Sequence, residues 1–328
     1  MLQRNFTEEQ VMFREAYRKF LAAEIVPHME EWREAGIVDR SAFSKAGAQC
    51  FLMIWPDEKY GGMGDDDFRF EQVIMEECAY ARVGDWYNTL HSRLVGPYLT
   101  RFGSEEQCQR FLPGCVSGDT ILAIAMTEPD AGSDLAGMRS TAVEQDDHWL
   151  LSGSKTYISN GINADLVVVA AKTDPENNPH AMTLFLVERG MEGFERGRNL
   201  KKMGLKGQDT AELFFNDVKV PKANVLGEPG KGFIYLMEGL AEERLIGACG
   251  YLAAGQLSWD LTAEFVRERK AFGKPVAHFQ NTQFKLAELR TKLDIAQTYV
   301  DQCVAAFSAG QLTAVDAAKA KLVTSELQ

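Results

Sequence analysis

The chain has 328 residues, 45% of them hydrophobic and 25% charged, which is the composition of a globular protein with material for two or three cores. Its 47 acidic residues outnumber 35 basic ones, for a net charge of −12, and such a balance argues against binding a nucleic-acid backbone. No uninterrupted apolar run is long enough to span a bilayer.

Up to about Gly118 the chain reads as helices. Thr7-Glu8-Glu9-Gln10 has the spacing of a capping box, in which the Thr hydroxyl accepts from an early N–H and the Gln reaches back. Phe13, Tyr17, Phe20, Leu21 and Ile25 recur at helical period until Pro27 stops them. Gly61-Gly62-Met63-Gly64-Asp65 predicts a loop, Phe68 to Ala81 a long helix, and Gly96-Pro97 a kink or break in a third helical region.

The pattern changes near Ile121. The run Ile121 to Ala125 predicts a strand, and His148 to Gly153 a strand running into a turn. Leu166 to Ala171, Met182 to Val187 and Ala211 to Phe215 are three more, with Asn216-Asp217 and Pro221 as punctuation. From Gly232 the helical period returns, and Leu286, Leu289, Leu293, Ala296, Val300, Val304 and Phe307 form one apolar stripe. Lys274-Pro275 falls in the break between two long helices. The expected organisation is therefore α+β: a helical domain over 1–120, a β-barrel or sandwich over 121–231, and a helical bundle over 232–328. A last helical pattern from about Thr313 meets Gln328 with no capping glycine, so the sequence reads as cut in mid-helix.

Six cysteines, none in C-x-x-C spacing, predict reduced, buried thiols. Residues 1–5 lack the charged-then-apolar pattern of a secretion leader. The expected location is the bacterial cytoplasm or, in a eukaryote, the mitochondrial matrix. Five scattered histidines show no ligand spacing, so no metal is expected, and neither a phosphate loop nor a nucleophile elbow is present.

The informative stretch runs from Ala125 to Asp134, where Thr127, Gly132 and Ser133 place hydroxyls and backbone N–H groups in a turn after a strand. Such a turn can bind an oxygen-rich ligand or be an ordinary Asp-Gly-Ser turn, and composition alone favours the second. The run Thr127–Asp134 resembles the T-E-P-x-A-G-S-D signature of the acyl-CoA dehydrogenase family. Lys155–Gly161 is similar to that family's K-x-[WY]-I-[ST]-N-G. Lys202–Leu213 is similar to the loop and strand closing its β domain, and Arg269–Pro275 with Gln280 to its R-x-x-F-G segment. Gln208–Thr210 and Ala241–Arg244 look most like its long-chain members.

The resemblance implies the acyl-CoA dehydrogenase fold and an FAD enzyme that makes a trans-2-enoyl-CoA from a saturated, long- or medium-chain acyl-CoA in fatty-acid β-oxidation. It implies that Tyr157 and Ser159 lie beside the flavin ring, that Met126 and Thr127 bracket its other parts, and that Ser133 contacts the CoA moiety. Arg269 would neutralise the cofactor pyrophosphate across a subunit interface, with Gln280 nearby. Ile124, Ala125, Gly132, Ile158 and Phe272 complete the implied cofactor set, and His180, Tyr235, Glu242 and Arg244 the implied substrate set. A homotetramer and electron transfer flavoprotein as acceptor follow from the same resemblance.

Removing an α-proton from a thioester needs a carboxylate in a dry cleft. Long-chain and isovaleryl members carry it on the substrate helix immediately before an Arg, so Glu243, followed by Arg244, is the implied base, and Glu242 reads as a solvated neighbour. The alternatives are an isovaleryl or other branched short-chain dehydrogenase, or a non-catalytic acyl-CoA-binding relative. Gly247, Ala248, Gly250, Ala253 and Ala254 could leave room for a long chain or serve close helix packing.

Overall fold

The computed structural model describes residues 4–174, 178 and 181–328. Helices come first: α1 (Glu8–Phe20), α2 (Met29–Ala35), α3 (Ser41–Gly47), α4 (Arg69–Tyr80), α5 (Gly96–Phe102) and α6 (Glu105–Ser117). The strands are β1 (Leu122–Ala125), β2 (Thr141–Glu144), β3 (His148–Ser159), β4 (Leu166–Lys172), β5 (Met182–Glu188), β6 (Phe194–Asn199), β7 (Thr210–Pro221) and β8 (Val225–Leu226). Helix α7 (Gly232–Glu268), the hairpin β9 (Lys270–Ala271) and β10 (Lys274–Pro275), α8 (Gln280–Ser308) and α9 (Ala314–Leu327) complete the α–β–α order.

The chain divides into two compact units, one of Met1–Ala22, Asp67–Val83 and Leu240–Gln328, the other of Ala23–Asp66 and Gly84–Gly239. In the first unit the expected box at Thr7 is complete: Gln10 N–H donates to the Thr7 hydroxyl, and Thr7 N–H donates to the Gln10 side chain at 3.0 Å. Helix α1 buries Tyr17 and Phe20; Phe13 meets Phe70 of α4 edge-on at 5.1 Å, and the Tyr17 hydroxyl lies 3.3 Å from Cys78 Sγ. The α8 stripe is buried at Leu293, Ala296, Val300 and Val304, but Leu289 is exposed.

The second unit is organised by an eight-stranded sheet in the order β6-β7-β3-β2-β4-β5-β8, with β1 parallel to β4. Strand β4 is apolar on both faces because each face meets a core. Leu166, Val168 and Ala170 join α5 and α6 side chains such as Leu99 and Leu112. Val167, Val169 and Ala171 join Trp149, Phe185, Leu213 and Val220 from strands across the whole sheet, so the sheet folds around this second core. Gly118 ends α6 in the left-handed conformation at φ 80, and a Cβ there would meet Phe43 O at 2.3 Å.

Four expectations are revised. Gly96-Pro97 does not end its helix, which runs on from residue 88 to 102, but the α pattern is interrupted there: Leu90–Val95 is a wide π turn directly before Pro97, whose ring has no N–H to donate. Gly153 does not end its strand, and Asn216-Asp217 does not end β7. The extra residue lies in β7, where the register steps from Leu151↔Val218 to Gly153↔Phe215 and Asp217 takes φ 50. Five cysteines are buried as expected, whereas Cys50 is exposed, and all six are free.

Candidate active site

Strand β3 alternates regularly to Lys155, with Trp149, Leu151 and Lys155 turned inward. The register then steps from Lys155↔Leu213 to Ile158↔Ala211, so β3 carries one extra residue opposite β7. Such an insertion reverses which residues face inward. Tyr157, which simple alternation would place beside Lys155 in the interior, adopts φ 58 and is 70% exposed, while Ile158 becomes buried.

The loop after β1 is tied to this bulge. Thr156 N–H donates to Thr127 O at 2.9 Å, so Thr127 lies beside the residue that precedes Tyr157. Glu128 and Ala131 exchange backbone hydrogen bonds of 2.9 and 3.2 Å, closing the turn at Pro129-Asp130. Met126, Thr127 and Ser159 are half-buried, and Gly132 and Ser133 are exposed. Ala125 and Ile158 belong to the β core, which leaves only their backbone for a ligand; Ile124 packs against the helix-side core. Ser159 is opposite Thr210, and Asn160 secures the end of β3 by donating through its backbone N–H to Asp209 O and through its side chain to Leu122 O.

Below the loop lies a buried ion pair. Lys155 Nζ donates to Glu128 Oε1 at 2.8 Å and to Met126 O at 3.1 Å. Glu128 also accepts from Arg139 N–H at 2.6 Å and Ser140 N–H at 3.0 Å. Burial alone would raise the Glu128 pKa, but the Lys155 charge and these donors hold it below the usual carboxylate value. Burial pulls the Lys155 pKa down against the pull of Glu128. Both residues lay inside the sequence motifs without a role. The available signal was a lysine at an inward position of β3, which needs an anionic partner.

Glu243 and Arg244 lie on α7 in the other unit and are half-buried. Glu243 is about three turns beyond Gly232, where the helix begins, so the helix dipole does not act on it directly. Glu242 is not a solvated neighbour: it is 3% exposed, because it shares a helical face with buried Leu245, Ile246 and Cys249. The packing reading holds for Gly250, where a Cβ would meet Met75 Cε at 2.6 Å. Tyr235 stacks on Phe102 with ring centroids 4.0 Å apart, and its hydroxyl accepts from Glu228 N–H. Arg269 and Gln280 are exposed around the β9–β10 hairpin, and Phe272 at its tip is 96% exposed. His180 lies outside the described residues.

A cleft of about 600 Å³ runs beside the clasped loop, lined by Glu128, Asp130, Arg139, Ser152, Phe214 and Asp217 among others. A larger one of about 980 Å³, lined by Arg4, Arg69, Gln72, Asp294 and Asp301, contains none of the predicted site residues. Among the described residues no cluster of side chains could hold a metal ion, and no helix is long and apolar enough to cross a membrane.

Known proteins share this architecture. The acyl-CoA dehydrogenase N-terminal, middle and C-terminal domain families match residues 7–119, 123–218 and 230–328. The chain is 46% identical to the mitochondrial long-chain specific acyl-CoA dehydrogenase of Sus scrofa over 329 residues, covering 100% of this chain and 76% of that protein. It is 38% identical to the mitochondrial isovaleryl-CoA dehydrogenase of Pongo abelii, covering 98% and 77%. The crystal structure of an acyl-CoA dehydrogenase from Geobacillus kaustophilus superposes with a TM-score of 0.96 at 48% identity, over 99% of this chain and 86% of that one.

Proposed function

The chain belongs to the acyl-CoA dehydrogenase family, and from that premise we propose that it converts a saturated long- or medium-chain acyl-CoA to the trans-2-enoyl-CoA, with FAD as its cofactor, in fatty-acid β-oxidation. The observation that carries this reading is the β3 bulge, which turns the Tyr157 ring out beside the Thr127 loop. An isoalloxazine ring is planar and apolar across its faces and polar at its edges. An exposed aromatic ring next to the Thr127 loop, with the Ser159 hydroxyl two residues further along the strand, fits that chemistry. FAD, when bound, supplies an acceptor for a hydride.

The remaining roles belong to this chain. Tyr157 walls the ring, the Thr127 and Ser159 hydroxyls serve its polar edges, and Ile124, Ala125, Gly132 and Ile158 line the same segment. Ser133, Tyr235, Glu242, Arg244 and His180 hold acyl-CoA. Glu243 takes the α-proton, and half-burial keeps its carboxylate less hydrated than a surface one while leaving it reachable. Arg269, Phe272 and Gln280 reach the cofactor of a second subunit in a homotetramer. Exposed Phe265, Phe272, Phe284 and Ile295 in the same unit support an assembly that buries them. Electron transfer flavoprotein reoxidises the cofactor. The location is the bacterial cytoplasm, or the mitochondrial matrix in a eukaryote.

Anaerobic titration with acyl-CoAs of graded length tests this reading. The protein should purify yellow, release FAD on denaturation, and bleach most efficiently with long or medium chains. Colourless protein that cannot be reconstituted with FAD removes the reading. Preferential bleaching by isovaleryl-CoA moves the substrate to branched short chains, and rapid hydrogen peroxide formation in air excludes electron transfer flavoprotein as the main acceptor.

A further inference from the structure

Glu128 and Lys155 stand within the two segments that carry Met126, Thr127, Tyr157 and Ser159, yet no ligand contact is assigned to either. We propose that this buried ion pair is a positioning clasp, which fixes the Thr127 loop against the Tyr157 bulge so that the flavin-facing groups are already in register before the cofactor arrives. The proposal rests on the flavin reading above.

The clasp joins three stretches of backbone. Lys155 Nζ holds the loop through Met126 O, at 3.1 Å, and the adjacent Thr156 N–H holds it again through Thr127 O, at 2.9 Å. Glu128 returns the link from the loop side, and its two oxygens also anchor the backbone at Arg139 and Ser140. Gly153 permits this close approach: it has φ 146, and a Cβ there would meet Ser140 Oγ at 2.3 Å. The extra residue of β3 follows at once, between Lys155 and Ile158. Lys155 is therefore the last residue of the regular strand, and what it grips decides where the bulge starts.

Stability alone does not explain the arrangement. A buried ion pair loses much of its Coulomb attraction to desolvation, and an apolar pair of similar volume is often as stable. An apolar pair here would leave Met126 O, Arg139 N and Ser140 N without these partners. The charges therefore specify a loop position that simple packing does not.

The test measures FAD affinity of the apoprotein by flavin fluorescence quenching, beside its melting temperature, for Lys155→Met, Glu128→Gln, the double variant and Glu128→Asp. Each single neutral variant leaves one buried charge without its ion partner and should melt lower and bind FAD at least tenfold more weakly. The double variant carries no such charge, so it should recover most of the melting temperature while FAD binding stays at least tenfold weaker. Glu128→Asp keeps both charges but shortens the reach to Lys155, Arg139 N–H and Ser140 N–H; it should melt lower than wild type and bind FAD severalfold more weakly. Wild-type FAD affinity in the double variant or in Glu128→Asp overturns the clasp and leaves the pair a structural one. Wild-type protein that binds no FAD instead overturns the flavin reading, so the two failures are distinct.

Discussion

Tyr157 and Phe272 are both aromatic, both exposed, and both in the left-handed backbone region, at φ 58 and φ 52. The chain holds them by different means. Tyr157 lies within a twelve-residue strand, flanked by the Lys155–Glu128 pair, the Thr156–Thr127 hydrogen bond and the Asn160 contacts. Phe272 sits at the tip of a hairpin whose two central residues, Phe272 and Gly273, both have positive φ, the signature of a tight primed turn. A bulky residue at positive φ persists only where its surroundings compensate. Around Tyr157 the compensation is a set of hydrogen bonds from strand and loop; at Phe272, 96% exposed, it is the turn itself and an edge contact with the Phe279 ring at 6.2 Å. The strand-built region braces its outlier from several sides, whereas the hairpin presents its outlier to solvent.

The largest expected effect separates chemistry from binding. Glu243→Gln, on α7 outside the strand-built region, keeps size and removes basicity. Turnover with acyl-CoA should fall by roughly two to four orders of magnitude, with FAD content and substrate affinity little changed. Steady-state kinetics with flavin quantification checks this, and an active Glu243→Gln enzyme would transfer the base role to another carboxylate. Next, Tyr157→Ala removes the exposed ring from a position that the surrounding bonds maintain. FAD should bind roughly fivefold more weakly, on the scale of about 1 kcal/mol for an aromatic stacking contact. The apoprotein melting temperature should stay within a degree or two, because a ring 70% exposed contributes little packing. A large fall in melting temperature would mean that the ring supports the bulge itself.

How much of this contrast is legible in the sequence depends on where the cause lies. The capping box at Thr7, the continuously apolar strands β4 and β5 and the helical return at Gly232 arise from neighbours in sequence and read directly. The exposure of Tyr157 does not, because the bulge exists only relative to β7, and simple alternation places position 157 inward. Strand β6, Phe-Glu-Arg-Gly-Arg-Asn, escapes detection because it is an edge strand with little apolar alternation. Glu242 read as solvated because Glu242 and Glu243 look alike in sequence, and only the phase of α7 against its packed face distinguishes them. The Glu128–Lys155 clasp was visible as two motif residues, but their pairing across a strand and a loop was not.

The strand-built region also has an acid weakness. His91 is buried; one ring nitrogen faces Cys115 O at 2.9 Å, and Nδ1 accepts from Leu122 N–H at 3.1 Å, at the start of the strand leading to Met126. Burial pushes its pKa down to about 4 from 6.5. The unfolded chain therefore takes up the proton first on acidification. The stabilising difference is complete above pH 6.5 and is lost progressively as pH falls towards 4. Between pH 7 and pH 5 this costs roughly 2 kcal/mol, at about 1.4 kcal/mol per pH unit below the unfolded value. His91→Asn should melt lower than wild type at pH 7 but lose fewer degrees on moving to pH 5. An equal loss in both proteins would assign the acid sensitivity to other groups.

The smallest effect concerns the hairpin and tests whether its strain has a purpose. Phe272→Gly relieves an unfavourable φ, and the relief exceeds the added flexibility of the unfolded chain by at most about 1 kcal/mol. The isolated subunit should therefore melt at the same temperature or slightly higher. If the ring exists to be covered by a second subunit, the same change should weaken assembly, and sedimentation at micromolar concentration should show a shift towards smaller species. FAD retention should fall with the shift and recover as protein concentration rises, because Arg269 and Gln280 flank the same turn. A variant that gains stability and keeps its assembly would show that Phe272 is a tolerated outlier of the turn, and the contrast with Tyr157 would then be one of backbone strain alone.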